Sequence, residues 1–282
     1  MSGNLQIPEP TWFVGSGNMG GAILDGWRAG GLDLSNVVVI RPSGQAVEGC
    51  RVVTSLAEAG SPPRLVVLAF KPQKLDEIAA ELRKHMSSKT VVVSILAGVE
   101  AESLRQRFPG AGPIVRAMPN LPVSVRRGIT GLYSRDADGG TQGEVNNLFA
   151  ALGYTMWMAD EEKLGALGAV AGAGPAYVAR FIAALAKAGE KRGLTADTAA
   201  TLALETVLGT AWMAATTKEG MASLVKRVAS PKGTTEAGLA VLDHNDVLNQ
   251  LLVFTIEAAA RRGAQLAEEA KAPSLAEDAR LS

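Results

Sequence analysis

Thr11-Trp12-Phe13-Val14-Gly15-Ser16-Gly17-Asn18-Met19-Gly20-Gly21 is the stretch on which the fold is decided. Thr11 to Val14 reads as a short apolar strand, and Met19 to Ala29 has the spacing of a helix. Between them stands G-x-G-x-x-G. In that setting Gly15 permits a tight turn, Gly17 lets backbone approach a pyrophosphate, and Gly20 lets helix lie against strand. The helix start, through Asn18 and Met19, offers backbone N–H groups and a partial positive charge to phosphates. Alone the motif also marks a tight structural turn; the strand before it and the helix after it favour dinucleotide binding.

Working outward, continuous Val/Ile/Leu runs recur at Val37 to Ile40, Arg51 to Thr54, Leu65 to Phe70, Thr90 to Leu96 and Pro113 to Ala117. Leu75 to Met86 has helical spacing. Unbroken apolar strands separated by helices belong to a parallel sheet covered on both faces. The expected fold class is α/β, a Rossmann-type doubly wound, mostly parallel sheet over residues 1–160. Beyond Asp160 strand-like runs vanish. Pro175 to Arg192, Ala196 to Thr216, Gly220 to Val228 and Asp246 to Ala270 read as helices rich in Ala and Leu, with Pro175 in a first turn after Gly174. Residues 161–270 are therefore expected to form an all-helical domain. Roughly 110 residues of such helix bury little by themselves, so a shared homodimer interface is expected. Residues 271–282 read as a polar, flexible tail.

Composition narrows the function. Lysine plus arginine equals aspartate plus glutamate at 28 each, so no global field argues for nucleic acid or an anionic membrane. The single cysteine, Cys50, excludes an internal disulfide framework. The first residues lack a secretory pattern, and the apolar runs read as interrupted short of a membrane span. A cytoplasmic enzyme acting on a small molecule is the expectation, with no metal site.

Strand ends supply the candidate site. After the second strand come Arg41-Pro42-Ser43, with no acid until Glu48. An NAD enzyme commonly places an acid there for the ribose hydroxyls; Arg41 and Ser43 instead suit a 2′-phosphate, or else Arg41 is a solvated arginine. Ala69-Phe70-Lys71-Pro72 closes the fourth strand, where Lys71 either stands over a cofactor or is simply solvated. Met118-Pro119-Asn120-Leu121-Pro122 pins Asn120 between prolines, as a holder of the nicotinamide edge or as an ordinary turn. In the second half, Ser230-Pro231-Lys232-Gly233-Thr234-Thr235 feeds a helix, with Thr234 or Thr235 at the capping position. Hydroxyls and free N–H groups converging there suit a small carboxylate, or form a plain cap. His85 and His244 both read as solvated. A hydroxyl substrate normally needs a base to take its proton, whereas an iminium is already an electrophile and needs mainly positioning. The lack of a placed histidine therefore fits an imine, although a lysine can serve as base instead.

Taken in order, GSGNMGGAI (15–23), AFKPQ (69–73), SILAG (94–98), RAMPNLP (116–122), AGAGPAYV (171–178) and VKRVASPKGTTEAGLAVLD (225–243) resemble pyrroline-5-carboxylate reductase over nearly the whole chain. The resemblance implies a Rossmann-type domain and a helical domain forming an intertwined dimer, in some members assembled further. It implies NADPH, or NADH, as hydride donor, the cyclic imino acid pyrroline-5-carboxylate as substrate and L-proline as product. By matching position it gives the substrate carboxylate to Ser230, Gly233, Thr234 and Thr235, puts Thr235 near the ring nitrogen, and places Asn120 and the Gly174-Pro175 helix start beside the nicotinamide. Thr235 and Asn120 are thus the expected catalytic pair. Three departures stand out: Ala173 where serine is frequent, Lys232 where glycine is common, and Leu121 where threonine is frequent. The rival readings are a β-hydroxyacid dehydrogenase using Lys187 and a non-enzymatic NADPH sensor.

Overall fold

The structure is a computed structural model and describes residues 6–271; the tail expected over 271–282 lies, beyond Lys271, outside the described residues. Eight strands form one sheet: β1 (Thr11–Val14), β2 (Val37–Ile40), β3 (Arg51–Val53), β4 (Leu65–Leu68), β5 (Val91–Ser94), β6 (Ile114–Pro119), β7 (Gly128–Tyr133) and β8 (Gly153–Trp157). Their order is β3-β2-β1-β4-β5-β6-β7-β8. From β3 to β6 every pair is parallel; β7 runs antiparallel to β6, and β8 is parallel to β7. The chain leaves β1 for β2 on one side and later returns for β4 on the other. The switch point of this doubly wound sheet is therefore between β1 and β4.

Strand side chains alternate strictly between two cores. Phe13, Val37, Val39, Leu65, Val67 and Val93 pack with Ile23 and Trp27 of α1 (Asn18–Ala29) and Phe149 of α4 (Gly139–Ala150). Trp12, Val14, Val38, Val66 and Val92 face the other way, onto Leu82 of α2 (Leu75–Leu82) and Leu104 of α3 (Ala101–Arg107). Period-2 alternation with both faces buried is what makes the strands read as unbroken apolar runs. Thr11, fully buried, keeps its hydroxyl satisfied by donating to the Pro8 carbonyl.

The expected strands are present: β1 and β2 keep their expected bounds, β3, β4 and β5 are shorter by one to three residues, and β6 runs on to Pro119. β7 and β8 had no expected counterpart, because glycines interrupt GITGLY, buried though it is, and GYTMW alternates between half-buried and exposed positions. His85 also differs from the solvated reading. It is half-buried, with its ring 5.3 Å from that of Trp12.

The described chain divides into two compact units. One holds residues 6–173 together with 259–271; the other is Gly174–Ala258. The first includes α5 (Glu161–Leu167) and a π turn at Gly168–Gly172. The second holds α6 (Gly174–Glu190), α7 (Ala196–Thr217), α8 (Met221–Val228), α9 (Thr234–Leu242) and the first half of α10 (Val247–Lys271). In this unit α6 and α7 meet through Ala186, Ala199 and Ala203, small side chains that let backbones come close. The expectation of no membrane-length apolar run needs amending. The helical run Glu161–Glu190 is long and apolar enough for a span by length and composition, since its many alanines raise hydropathy without bulk.

Packing of α1 generates a stability prediction. A Cβ on Gly26 would lie 2.2 Å from the Val123 carbonyl oxygen and 2.6 Å from Leu152 Cδ2. Helix propensity alone favours alanine by about 1 kcal/mol; overpacking against backbone costs about 1–3 kcal/mol. Gly26→Ala should therefore lower stability in urea unfolding, and an increase would mean that propensity wins.

Candidate active site

The switch point is built around Gly15. Its N–H donates to the Ile40 carbonyl at 2.8 Å, and the Ala69 N–H donates to the Val14 carbonyl at 2.8 Å, so the ends of β1, β2 and β4 are tied together. Gly15 has φ +87°, and a Cβ there would stand 2.5 Å from the Ala69 carbonyl oxygen. Only glycine meets both conditions. Gly17 is the N-cap of α1 and has no side-chain cap, and a Cβ on it would meet nothing within 4 Å. The first turn of α1 carries no acidic residue. Its N–H groups, including those of Asn18, Met19 and Gly20, open toward space that an anion can enter. A Cβ on Gly20 would come 3.0 Å from Phe13 Cε1, the helix-on-strand approach expected of the motif.

Beside this turn lies a cleft of about 380 Å³ whose lining includes Gly15, Pro42, Thr54, Leu56, Phe70 and Ile78. Its walls are mostly apolar, suiting a flat heterocycle, and it opens at the carboxyl ends of β1 to β4. Arg41 and Ser43 bracket Pro42 at its rim. The Arg41 guanidinium donates to Gln45 Oε1 at 3.1 Å, a bond that an incoming phosphate can replace. On the other rim the Ser55 and Thr54 hydroxyls donate to Glu58 at 2.6 and 3.0 Å, and these bonds hold its carboxyl below the ordinary range. Lys74, Glu77 and Glu81 also line the cleft. Lys71 is exposed on extended backbone, and Pro72 opens the short 3₁₀ turn Pro72–Lys74 at the end of β4. Gly15, Gly17, Asn18, Met19, Gly20, Arg41, Ser43, Ala69, Lys71, Pro72 and Asn120 thus all stand at the carboxyl edge of the parallel strands.

Asn120 is pinned, as expected, but by side-chain hydrogen bonds as well as by its prolines. It is buried, its Oδ1 accepts from the Ile129 N–H at 2.8 Å, and its Nδ2 donates to the Ala171 carbonyl at 2.9 Å. The amide is engaged within the protein at both ends rather than free in a turn.

The Ser230–Thr235 loop, the other candidate, lies in the helical unit. The capping expectation is corrected: Gly233 is the N-cap of α9, on extended backbone, and Thr234 and Thr235 are already helical. The reason is steric. A Cβ on Gly233 would come 3.0 Å from the Ser230 carbonyl oxygen, to which the Gly233 N–H also donates at 3.0 Å. Neither threonine hydroxyl is taken up in a cap, so both remain available to a ligand. Lys232 has φ +59°, which explains why glycine suits this position. Sequence reasoning gave no role to Glu236. Its carboxylate accepts from the Lys232 N–H at 2.6 Å and closes the loop. The readable signal was an acid three residues after a cap. Lys187, the rival's base, is exposed and paired with Glu190 at 2.5 Å. His244 is exposed, with Nε2 3.0 Å from the Asn245 amide.

Comparison with known proteins decides the family. Residues 161–266 match the family described as pyrroline-5-carboxylate reductase dimerisation, and residues 12–98 that of coenzyme F420-dependent NADP oxidoreductases. A pyrroline-5-carboxylate reductase of Pseudomonas aeruginosa is 36% identical over 264 residues, covering 91% of this chain and 96% of the relative. The chain belongs to the pyrroline-5-carboxylate reductase family. The Coxiella burnetii reductase structure aligns with TM-score 0.83 at 31% identity over 92% of this chain and 99% of that one. The Plasmodium falciparum reductase with NADP bound aligns with TM-score 0.83 at 26% identity, covering 92% and 98%. As a member of this reductase family the chain is an NAD(P)H-dependent oxidoreductase acting on a C=N bond.

The loop geometry carries a prediction for the reductase. Glu236→Ala removes the Lys232 N–H acceptor at a cost of about 1 kcal/mol, the usual size of a lost helix cap. Steady-state kinetics should show a raised KM for the imino acid with the KM for NADPH unchanged; equal rises would deny the loop a separate role.

Proposed function

We propose that the reductase uses NADPH to convert 1-pyrroline-5-carboxylate to L-proline, with the diphosphate on the Gly15–Gly20 turn, the 2′-phosphate on Arg41 and Ser43, and the substrate carboxylate on Ser230, Gly233, Thr234 and Thr235. The observation that carries this reading is that two of the helix starts without a side-chain cap follow the Gly15–Gly20 turn and the Ser230–Thr235 loop. α1 and α9 each begin at a glycine with no side-chain cap, and each is preceded by a loop that leaves N–H groups or hydroxyls unclaimed. One suits a nucleotide, the other an amino-acid-sized anion.

The cradle fits the cofactor. The space a Cβ would take at Gly17 is open, while Gly15 and Gly20 are closed against Ala69 and Phe13. NADPH, when bound, supplies a hydride to the imine carbon. The chain's part is to bind and orient. Lys71 and Pro72 bound the cofactor at β4, and the Thr235 hydroxyl, near the ring nitrogen, holds the N–H of the protonated imine. Transfer requires the two reacting carbons about 3–3.5 Å apart, and such positioning supplies a large share of the rate without a dedicated acid or base.

The helical unit points to a homodimer. Phe181, Leu202, Leu208, Trp212, Leu251 and Phe254 are each more than half exposed, while the buried residues of its helices are almost all alanine. Large apolar side chains left exposed in such number point to a surface that a partner covers. A cytoplasmic location accords with the single unpaired cysteine.

Two substitutions separate the half-sites. Arg41→Asp should raise the KM for NADPH by on the order of 10–100-fold while changing that for NADH little, as expected for loss of a charge-assisted phosphate contact; equal effects on both cofactors would refute the phosphate role. Thr235→Ala should lower kcat by on the order of 10-fold or more, the scale of one lost ligand hydrogen bond, with NADPH binding intact. An unchanged rate would remove Thr235 from the site.

A further inference from the structure

Gly168–Gly172 is a π turn inserted between α5 and α6. The Ala173 N–H donates to the Gly168 carbonyl, five residues back, at 3.2 Å. Such turns widen a helix by one residue and recur at functional sites. Two fastenings hold this one. The first is the Asn120 amide, which donates to the Ala171 carbonyl at 2.9 Å. The second is steric: a Cβ on Gly168 would stand 2.3 Å from Met118 Sδ. Met118 is the penultimate residue of β6 and Asn120 follows its last, Pro119, so both fastenings come from the carboxyl end of that strand. Asn120 is fixed in turn. Its Oδ1 accepts from the Ile129 N–H at 2.8 Å, and its own N–H donates to the Ile129 carbonyl at 3.1 Å. One side-chain amide therefore joins the end of β6, β7 and the π turn.

The place in the sheet gives this knot its meaning. Arg41 stands after β2, on the adenosine side of the switch point. The nicotinamide half of the crevice is then over β4, β5 and β6. Neither end of the Asn120 amide is left without a protein partner, which disfavours a direct hold on the nicotinamide.

We infer that Asn120 is a positioning residue. By donating to the Ala171 carbonyl it fixes the π turn as a rigid wall at the nicotinamide end of the site, and it acts on hydride transfer without touching either reactant. The inference rests on the reductase reading above. Turnover by the unaltered protein tests that reading first, so the two can fail separately.

Asn120→Asp is the discriminating variant. It keeps the acceptor for the Ile129 N–H but removes the donor to Ala171, setting two oxygens against each other. On the full-length protein, kcat should fall on the order of 100-fold, the scale of a small misplacement near reacting atoms. The KM for NADPH should stay within about threefold, as for loss of an interaction that matters only in the transition state. Backbone hydrogen exchange over residues 168–173 should quicken while that of α1 does not. Gly168→Ala should give the same signature from the other fastening, and adding Met118→Ala should restore kcat about tenfold by removing the clash. A lost kcat with unchanged exchange over 168–173 would overturn the inference, because the amide would then be acting on a reactant directly. Quickened exchange with an unchanged kcat would overturn it too. If Asn120→Asp does not fold, Gly168→Ala and its rescue decide between the same outcomes.

Discussion

The approach of Gly15 to the Ala69 carbonyl is the constraint from which the first unit follows. At that point β1, β2 and β4 end together and the chain must turn within one residue. A side chain would collide with backbone at 2.5 Å, and backbone cannot yield as the far end of a side chain can. The turn sets α1 against Phe13 and leaves its first N–H groups uncapped. The crevice, the phosphate cradle and the apolar cleft next to it are consequences of where that turn is made.

Much of this was legible in the sequence. The glycine spacing and the unbroken runs VVVI, LVVL and VVVS announce a sheet buried on both faces, and they stand as β2, β4 and β5. β7 and β8 were not legible. The register of β7 is set by pairing with β6 and that of β8 by pairing with β7, and Tyr154 and Met156 of the edge strand β8 are exposed. Local pattern cannot report non-local pairing. The site was legible in its residue types and less so in their use. Gly233 caps α9 where a threonine was expected, because the preceding turn needs a position without Cβ. The Asn120 amide is consumed by Ile129 and Ala171, partners 9 and 51 residues away in sequence. Lys232, a departure from the family pattern, sits in the conformation that explains why glycine is usual there.

The two units solve opposite packing problems. The sheet unit buries large side chains such as Trp12, Trp27 and Phe149 on both faces and leaves its chemistry to the strand ends. The helical unit buries chiefly alanine and turns its large apolar residues outward. A core of alanines contributes little per residue. Its helices therefore leave Phe181, Trp212 and Phe254 for a further surface to cover, the role proposed above for a second copy. The same richness in alanine gives the run from Glu161 to Glu190 its high hydropathy.

The account's central claim is that hydride passes from a nicotinamide seated at the strand ends to an imine carbon seated by the Ser/Thr loop. The most direct measurement is turnover of 1-pyrroline-5-carboxylate with NADPH deuterated at the nicotinamide C4, followed by mass spectrometry and NMR of the product. The account predicts proline formed in equal amount to NADPH consumed, with deuterium on C5. Oxidation of the cofactor without proline, or proline carrying no deuterium from a fully labelled cofactor, would contradict it.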